Sequence, residues 1–585
     1  MNRTADATMK RNPEHLHQKT FDLIIIGGGI YGAWAAWDAT LRGLSVALFE
    51  KDDFGNATSS NSLKIIHGGL RYLQHADFKR MRESVRERMI LMRVAPHLVH
   101  PLPCIMPTYG HGVKGREALA IALFLNDLIT FDRNKLSDPQ KYLPKGRILS
   151  RKELLEKLPG IETKNLTGGA MWYDCQIYNS ERLLIGLLAG ASSRGATVVN
   201  YAPVTGFLVQ DGHVRGVRVQ DRLAGRQYEI FSQWIINTSG PWVNKLLNLL
   251  PARDSLPHIH FSKAMNLVVK RKLIDTYGVG IPSKYSFQDA DALIKQGSRL
   301  LFMTPWRNYT LIGTTHVPYE GDPDAFAITE EDIQELLQEY NLAYPARSIR
   351  REDITHAYGG LLPMEPHSAG KGHVTLTKHY KLIDHEKEHG LKGLITVVGV
   401  KYTTARDVAA RAVDIAVQKL GRRERCRTDQ IPIPGGNIDR FGAFLQEEIA
   451  KRPWNLSEAE VRHLVLNYGR EYPKILQYLE EDVNWRERVD PEQEVLYAEV
   501  VHAVREEMAQ TLLDVIRRRT ELGSAGCPPD VVLEKVARLV ASELGWDEAK
   551  IQEEIRAAQA YYQIPGQTNK VPSEHVPETN SQRRV

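Results

Sequence analysis

Three glycines near the start of the chain have the spacing of a dinucleotide-binding turn. Gly27-x-Gly29-x-x-Gly32 follows a short apolar run, residues 23–26, and precedes an alanine-rich segment typical of a helix. In such a turn the first glycine allows the tight bend, the second lets the backbone approach a pyrophosphate, and the third lets helix and strand pack closely. The free N–H groups and positive dipole end of the helix then favour phosphate. The pattern therefore predicts a Rossmann-type nucleotide site.

One carboxylate lies where the ribose of such a cofactor would be held. A second apolar run, residues 44–49, ends at Glu50, and Gly43 is placed to stop the preceding helix. At the end of the second strand of a βαβ unit, an acidic side chain accepts hydrogen bonds from ribose hydroxyls and disfavours a 2′-phosphate. The combination predicts a dinucleotide without that phosphate, and it does not by itself separate NAD from FAD.

Three further side chains have types that suit work on a substrate. His67, flanked by glycine, can accept a proton near neutral pH, and Arg71 offers a fork of donors for a phosphate or carboxylate. Lys401 follows the apolar run 394–398 and can stabilise negative charge at a strand end. The residues alone leave structural roles open: His67 as a turn cap, Arg71 paired with a surface carboxylate, and Lys401 as a packing residue.

The elements that must position these residues are scattered along the chain. Short apolar runs typical of buried strands recur at residues 234–237 and 394–398, far from the first βαβ unit. The nucleotide domain is therefore predicted to be discontinuous. Beyond the Pro-Gly-Gly turn at residues 434–436 the pattern becomes helical, which indicates a separate C-terminal helical domain.

Composition excludes several classes of protein. Of 585 residues, 42% are hydrophobic and 25% charged, as in ordinary globular proteins, and a net charge of +5 is too weak to indicate nucleic-acid binding. The four cysteines form no Cys-x-x-Cys pair, so neither disulfides nor a metal site is predicted, and a reducing, cytoplasmic location is expected. Residues 1–20 lack the pattern of a secretory signal, and no apolar run is long enough to span a membrane.

Two segments have a basic, amphipathic character. Residues 79–93 carry a stripe of methionine and valine on an otherwise charged helix, whose polar face is predicted to be solvated. Residues 117–147 begin with an apolar helix that is too short to cross a bilayer but suits its surface. These segments suggest peripheral attachment to the inner face of the cell membrane. The arginine run 517–519 is predicted to be solvated charge near a helix end.

Longer blocks of the chain resemble the flavin-dependent glycerol-3-phosphate dehydrogenases and oxidases. The resemblance is carried by DLIIIGGGIYGAWAAWDATLRGLSVALFE from residue 22, ATSSNSLKIIHGGLRYLQH (57–75), GGAMWYDCQIYNSERL (168–183), NTSGPWV (237–243), LIGTTHVPYEGDP (311–323), VVGVKYTTARDVA (397–409) and the C-terminal block 498–523. It implies a non-covalently bound FAD and oxidation of a secondary alcohol by hydride transfer, with sn-glycerol 3-phosphate as donor, dihydroxyacetone phosphate as product and quinone as electron acceptor.

The resemblance also assigns roles to residues. It implies that His67, Arg71 and Tyr72 face the substrate, that Lys401 lies near flavin and substrate, and that His67 and Lys401 are catalytic. The implied cofactor-binding residues are Gly27, Gly29, Gly32, Glu50, Thr58, Ser59, Gly399, Lys401 and Thr403.

The expected fold is α/β, with a discontinuous Rossmann-type FAD-binding domain, an interleaved mixed-sheet substrate domain and a C-terminal α-helical domain. We expect the interleaved pair to occupy residues 20–425, with FAD-binding pieces at about 20–75, 185–245 and 390–425, and substrate pieces at about 76–184 and 246–389. The helical domain is expected at 426–562, and a disordered tail at 563–585.

The chain departs from the family pattern around the expected substrate pocket. Leu362 stands where the family has an arginine that grips the substrate, and His316 stands where it has an aspartate. Arg307 is a candidate replacement donor. Because leucine cannot donate a hydrogen bond, two alternatives stay open: an FAD-dependent oxidase or dehydrogenase of another polyol, hydroxy acid or amine, and a catalytically idle flavoprotein subunit. A second copy of the chain, in a homodimer, is a further candidate partner.

Overall fold

The computed structural model describes residues 9–14, 16–112, 115–251, 255–288, 296–366 and 374–566. Its strands are, in chain order, β1 (Thr20–Ile26), β2 (Val46–Phe49), β3 (Ile65–Ile66), β4 (Val99–Tyr109), β5 (Arg147–Leu149), β6 (Leu166–Ile177), β7 (Thr197–Val199), β8 (Val204–Gln210), β9 (His213–Asp221), β10 (Arg226–Asn237), β11 (His260–Val269), β12 (Gly278–Gln288), β13 (Gln296–Trp306), β14 (Tyr309–Tyr319), β15 (Ile354–Met364), β16 (Lys381–Asp384) and β17 (Leu394–Val398). Its helices are α1 (Ile30–Leu41), α2 (Phe78–Val94), α3 (Arg116–Ile129), α4 (Arg151–Lys157), α5 (Ser180–Ser193), α6 (Val243–Leu247), α7 (Glu330–Ala343), α8 (His385–His389), α9 (Ala405–Lys419), α10 (Phe441–Lys451), α11 (Glu458–Tyr468), α12 (Tyr472–Gln477), α13 (Tyr497–Arg505), α14 (Leu512–Asp514), α15 (Asp530–Leu544) and α16 (Glu548–Tyr562).

The first sheet carries the glycine turn. Its strands follow the order β16, β17, β10, β1, β2, β7, and the hairpin of β8 and β9 pairs with β10. β1 is parallel to both neighbours, with Ile24 opposite Ile235 on one side and Ala47 on the other. Parallel strands buried on both faces are apolar throughout, which is why the runs in β1 and β2 are continuous. The predicted discontinuous Rossmann-type architecture is confirmed.

The second sheet is mixed and lies between the pieces of the first in sequence. Its order is β15, β11, β14, β13, β12, β4, β6, β3, with β5 added beside β6. Two strands cross the expected domain division. β3 pairs with β6 in the second sheet although it falls in the expected FAD-binding piece 20–75. β16 pairs with β17 in the first sheet although it falls in the expected substrate piece 246–389.

The C-terminal domain is helical, as predicted, and packs around two apolar clusters drawn from α10–α13 and α13–α16. The start of the expected tail does not leave the protein surface. The Pro565 carbonyl accepts a hydrogen bond from the Glu330 amide at 3.0 Å, and Ile564 packs against the core of the second sheet. Residues 567–585 lie outside the described part of the chain.

One prediction of solvated charge is wrong, at residues 517–519, and another, that the polar face of α2 is mostly solvated, has two charged exceptions. On α2, Glu87 and Arg88 are buried because each has a partner from another element: Glu87 accepts from Arg406 at 2.6 and 2.7 Å, and Arg88 donates to Asp174 at 2.7 Å. The arginines at 517–519 are likewise buried. A periodic pattern identifies the apolar face of a helix, but it cannot show that another element covers the charged face. Among the described helices, none combines the length and hydropathy needed to cross a membrane.

Candidate active site

The glycine turn between β1 and α1 leaves no room for side chains. Gly27 has φ +101°, and a Cβ atom on it would lie 2.7 Å from the Thr238 carbonyl oxygen. A Cβ on Gly32 would lie 1.9 Å from the Gly27 carbonyl oxygen, since α1 packs directly on the turn. α1 then begins at Ile30 with Gly29 as its capping residue. This bare helix start is the cradle that a pyrophosphate needs, so the residues present fit a dinucleotide.

The Glu50 carboxylate lies beside this turn. It accepts hydrogen bonds from the Gly28 amide at 2.7 Å and the Asp52 amide at 3.0 Å. Burial raises the pKa of Glu50, the two backbone amides lower it, and the net result is a pKa of about 7. A carboxylate at this edge is suited to accept from ribose hydroxyls, which stays a prediction.

The segment after Glu50 returns to the helix start. The Ser59 hydroxyl oxygen accepts a hydrogen bond from the Ile30 amide at 3.0 Å, so it occupies the first turn of α1. The Thr58 hydroxyl donates to the Leu361 carbonyl on β15 at 3.2 Å, which joins the segment to the second sheet. Both predicted cofactor residues therefore lie at the junction of the two sheets.

Tyr31, which the sequence analysis did not single out, ties the glycine turn to the loop after β17. Its hydroxyl donates to the Lys401 carbonyl at 2.8 Å and accepts from the Lys401 amide at 3.1 Å. A Cβ on Gly399 would lie 2.1 Å from the Tyr31 ring, so glycine is required there. Thr403 is buried in the turn that leads into α9. Tyr31 thus brings the predicted cofactor residues at the end of β1 close to those that follow β17.

Lys401 brings together residues that are more than three hundred positions apart. Its Nζ atom donates to the Tyr72 hydroxyl at 2.9 Å, to the Ser84 hydroxyl at 2.9 Å and to the His67 carbonyl at 3.4 Å. Burial alone would raise the pKa of Tyr72, but the cations of Lys401 and Arg80 outweigh it and lower that pKa. The cluster carries the positive charge of Lys401, which suits an anionic group.

Asp174 holds the His67 ring in place. Its Oδ2 atom lies 3.1 Å from His67 Nδ1, and its Oδ1 atom accepts from the Gly68 amide at 2.6 Å and from Arg88 at 2.7 Å. Burial raises the pKa of Asp174, but His67 and Arg88 more than offset this and hold the pKa well below its usual range. Because Asp174 is therefore ionised, His67 Nδ1 must carry the hydrogen, and Nε2 is left as the proton acceptor.

The sequence offered only a weak signal for Asp174. It is a carboxylate in the otherwise apolar strand β6, where it lies opposite Leu102 of β4. The His67 side chain is 37% exposed, and its ring packs edge-on against Phe302 with centroids 5.4 Å apart. An oriented, partly exposed imidazole backed by a buried carboxylate is the arrangement of a general base.

Arg71 and Arg307 are also predicted substrate ligands. The Arg71 side chain lies outside the described part of the structure. Arg307 is buried at the boundary with the C-terminal domain, where it pairs with Glu521 at 2.9 Å and donates to the Ser524 hydroxyl at 2.8 Å. Its guanidinium joins two domains and lies away from the contacts of His67 and Lys401. The structure therefore does not bring Arg307 together with His67 and Lys401, and none of its contacts supports the prediction that it holds the substrate.

The two departures from the family pattern are neighbours in space. Leu362 on β15 lies opposite Ser262 of β11, and His316 on β14 lies opposite Ala264. The Ser262 hydroxyl is 3.5 Å from His316 Nδ1. Paired residues and residues two apart share one face of a sheet, so all four side chains face the same way. Gly360, on that face, meets Thr58, which places the departures beside the cofactor segment.

Comparisons with known proteins agree with this geometry. Residues 22–401 match the family described as FAD dependent oxidoreductase, and residues 426–551 match the C-terminal domain of alpha-glycerophosphate oxidase. The chain is 33% identical over 560 residues to a glycerol-3-phosphate dehydrogenase of Synechocystis, covering 94% of this chain and 98% of that one. It is 30% identical to the aerobic glycerol-3-phosphate dehydrogenase of Bacillus subtilis, covering 86% and 87%. The solved structure of a glycerol-3-phosphate dehydrogenase from Bacillus halodurans, complexed with FAD, superimposes with a TM-score of 0.71 at 26% identity, covering 93% and 95%.

Proposed function

This chain belongs to the family of FAD-dependent oxidoreductases, and we propose that it oxidises the secondary alcohol of sn-glycerol 3-phosphate to the ketone of dihydroxyacetone phosphate. The observation that carries the proposal is the His67–Asp174 pair, which orients the His67 ring, while the His67 carbonyl accepts from Lys401 Nζ at 3.4 Å. The named relatives support the choice of substrate, since two proteins that this chain resembles over most of its length are called glycerol-3-phosphate dehydrogenases.

The residues around the glycine turn fit FAD. Gly27, Gly29 and Gly32 would admit the pyrophosphate to the start of α1, and Glu50 would accept from the adenosine ribose. Thr58, Ser59, Gly399 and Thr403 line the junction where the remainder of the cofactor would be held. When bound, FAD supplies a two-electron acceptor for the hydride lost from the carbinol carbon.

His67 is the proposed proton acceptor. Oxidation of an alcohol releases the hydroxyl proton together with the hydride, and His67 Nε2 takes that proton. Asp174 stabilises the imidazolium that forms, since its charge lies 3.1 Å from the Nδ1–H. Positioned acid–base groups of this kind contribute about 10²–10⁴-fold in rate.

Lys401, Tyr72 and Arg71 are the proposed binding groups. The Lys401 ammonium stabilises the developing alkoxide, and it holds the Tyr72 hydroxyl at 2.9 Å as a second donor to the substrate. Arg71 is assigned the phosphate because its guanidinium can bind two phosphate oxygens at once.

The test is anaerobic reduction of the bound flavin by sn-glycerol 3-phosphate. The reduction is monitored as the loss of flavin absorbance near the visible maximum. Wild-type flavin should bleach, and the His67→Gln variant should bleach more slowly by about 10²-fold or more while keeping its FAD. His111→Gln is the matched control, because His111 forms an exposed histidine–carboxylate pair with Glu117 at 3.0 Å. Flavin that stays oxidised with this substrate in wild-type protein would contradict the proposal.

A second candidate function is oxidation of another polyol, hydroxy acid or amine. One observation favours it: half-buried Leu362 leaves an apolar side chain on the sheet face that meets Thr58. A less charged donor would be desolvated there at lower cost than a phosphate dianion. The same anaerobic assay with a panel of alcohols and amines decides between them, since the preferred donor bleaches the flavin at the lowest concentration.

We also propose that the enzyme binds the membrane surface through α3 and passes its electrons to quinone. Ile121, Phe124 and Leu128 recur at helical spacing and are 62%, 69% and 62% exposed, and Phe131 beyond the helix is 75% exposed. A contiguous apolar face of this kind suits insertion into the headgroup boundary of a bilayer, where quinone is dissolved.

Flotation with anionic vesicles tests this surface. Wild-type protein should float with the vesicles, and the triple variant Ile121→Ser, Phe124→Ser, Leu128→Ser should not. In the triple variant, quinone reduction in vesicles should fall and dye reduction in solution should be retained. Val531→Ser is the control, since Val531 is also 62% exposed but stands on α15 of the helical domain. No flotation of wild-type protein would contradict membrane binding. A dimer in solution that the triple variant loses would instead assign the face to a second copy of the chain.

A further inference from the structure

The segment between β2 and β3, residues 51–64, wraps around the glycine turn, and we call it the cofactor loop. The Ser59 hydroxyl of the cofactor loop accepts from the Ile30 amide at 3.0 Å, and the Gly55 amide donates to the Gly28 carbonyl at 3.1 Å. The loop consists of turns rather than regular structure, so its conformation depends on what surrounds it. One side of the loop faces the glycine turn; the opposite side meets the C-terminal domain.

Three consecutive arginines of the C-terminal domain contact the cofactor loop. Arg517 donates to the Asn61 side-chain oxygen at 3.2 Å, and Arg518 donates to Asp53 at 2.5 Å. Arg519 donates to both oxygens of Asp53 at 2.6 and 2.7 Å. A further bond joins Arg518 to the Asn56 side-chain oxygen at 3.2 Å. We call these arginines the arginine triplet.

The local backbone explains how three neighbouring side chains reach one loop. Val515–Arg519 is a π-helical turn that follows α14. In a regular α-helix, consecutive side chains point about 100° apart, so three in a row would not all be covered. Here Arg517, Arg518 and Arg519 are only 1%, 3% and 1% exposed. Short π-helical turns are rare and occur mostly at functional positions.

The charges of Arg518 and Arg519 are paired within the protein. Asp53 is 1% exposed and lies between Arg518 and Arg519, whose charges outweigh the effect of burial and lower the pKa of its carboxyl. Arg518 also pairs with Asp514 at 2.6 Å. Arg517 lies over the ring of Tyr561 at 5.2 Å. Because these partners already engage the triplet, we interpret it as a structural link between domains rather than a site for an external anion.

We propose that the C-terminal domain, through the arginine triplet, holds the cofactor loop in its FAD-binding conformation, so that flavin retention depends on this domain. A loop that is ordered before the cofactor arrives loses less conformational entropy on binding, and the affinity is correspondingly higher. The inference depends on the FAD of the family and not on the identity of the substrate.

The experiment uses the full chain with the double variant Asp53→Asn, Arg519→Gln, which removes one buried charge of each sign. We expect FAD to dissociate at least about tenfold more readily, and the amides of residues 51–64 in the apoprotein to exchange hydrogen faster. The matched control is Glu534→Gln, Arg538→Gln, an exposed pair on α15 at 2.5 Å, which should change neither quantity. Both measurements are made without substrate, so they are independent of the substrate assignment.

A second variant covers the case in which the first does not fold. Asn56→Ala, Asn61→Ala removes two amide contacts with the triplet and leaves the ion pairs of Arg518 and Arg519 with Asp53, and of Arg518 with Asp514, in place. We expect several-fold weaker FAD binding and faster exchange of the cofactor loop in the apoprotein, before any flavin is added. Wild-type FAD affinity together with wild-type exchange in the folded asparagine variant would overturn the proposal.

Discussion

His67 Nδ1 and Asp174 Oδ2 lie 3.1 Å apart, although His67, which follows β3, and Asp174, which is in β6, are 107 positions apart in the chain. The contact determines which imidazole nitrogen is free. Since the Asp174 carboxylate also accepts from Arg88 and from the Gly68 amide, it is held rigidly behind the ring. The proposed base is thus oriented by residues that do not themselves meet the substrate.

Asp174→Asn should slow flavin reduction by about 10²–10⁴-fold, because an amide favours the wrong histidine tautomer and does not stabilise the imidazolium. FAD content and the KM for substrate should change much less than kcat. Rapid-mixing measurement of the anaerobic reduction rate checks this, with Glu117→Gln as the surface control. An unchanged reduction rate would remove Asp174 from the mechanism.

Lys401→Met should lower kcat/KM by on the order of a hundredfold, since a half-buried charge-assisted donor is lost from the cluster. The pKa of Tyr72 should rise in this variant, because the Lys401 cation is one of the groups that lower it. Steady-state kinetics with a dye acceptor measure the first effect. Lys152→Met, at an exposed lysine, is the control, and equal kinetics for both variants would contradict the assignment.

FAD affinity should rise as the pH increases through about 7. The pKa of Glu50 is raised to about 7, and only the ionised carboxylate is the stronger acceptor for ribose hydroxyls. The stability of the apoprotein should change with pH in the opposite direction to the FAD affinity. A raised carboxyl pKa stabilises the fold when the group is protonated, so this contribution is lost as the pH rises from about 4.5 to about 7.

Flavin titration and thermal unfolding of the apoprotein, each from pH 5 to pH 8, measure the two trends. The Glu50→Gln variant is the comparison, because its side chain cannot ionise. Both pH dependences should be weaker in that variant, and an undiminished dependence of FAD affinity would show that another group controls it.

Arg307→Gln should destabilise the protein and leave substrate binding nearly unchanged. Removing one partner of a buried ion pair typically costs about 3–5 kcal/mol in the free energy of unfolding, because the Glu521 charge loses its arginine partner. Denaturant unfolding and the KM measure these effects. The double variant Arg307→Met, Glu521→Met should regain much of the stability. A stable Arg307→Gln protein with a strongly raised KM would restore Arg307 as a substrate ligand.

The βαβ unit could be predicted from the sequence because its signals are local. Apolar runs buried on both faces, a glycine at each position where a Cβ would collide, and Glu50 at a strand end all lie within thirty residues. The predicted residues His67, Tyr72 and Lys401 are brought into one cluster by the fold. Their assignment to substrate and flavin stays a prediction, as does that of Arg71.

Tertiary structure alone decided which charges are buried and with what partner. Three buried or nearly buried carboxylates contact cationic or histidine side chains that are over a hundred positions away in the chain. They are Asp174 with His67, Glu521 with Arg307, and Asp53 with Arg518 and Arg519. A periodic pattern reports which face of an element is apolar, but the partner of a charged side chain depends on how separate elements pack. The sequence by itself determined the turn that receives the cofactor, whereas the packing of the C-terminal domain determined what holds its loop in place.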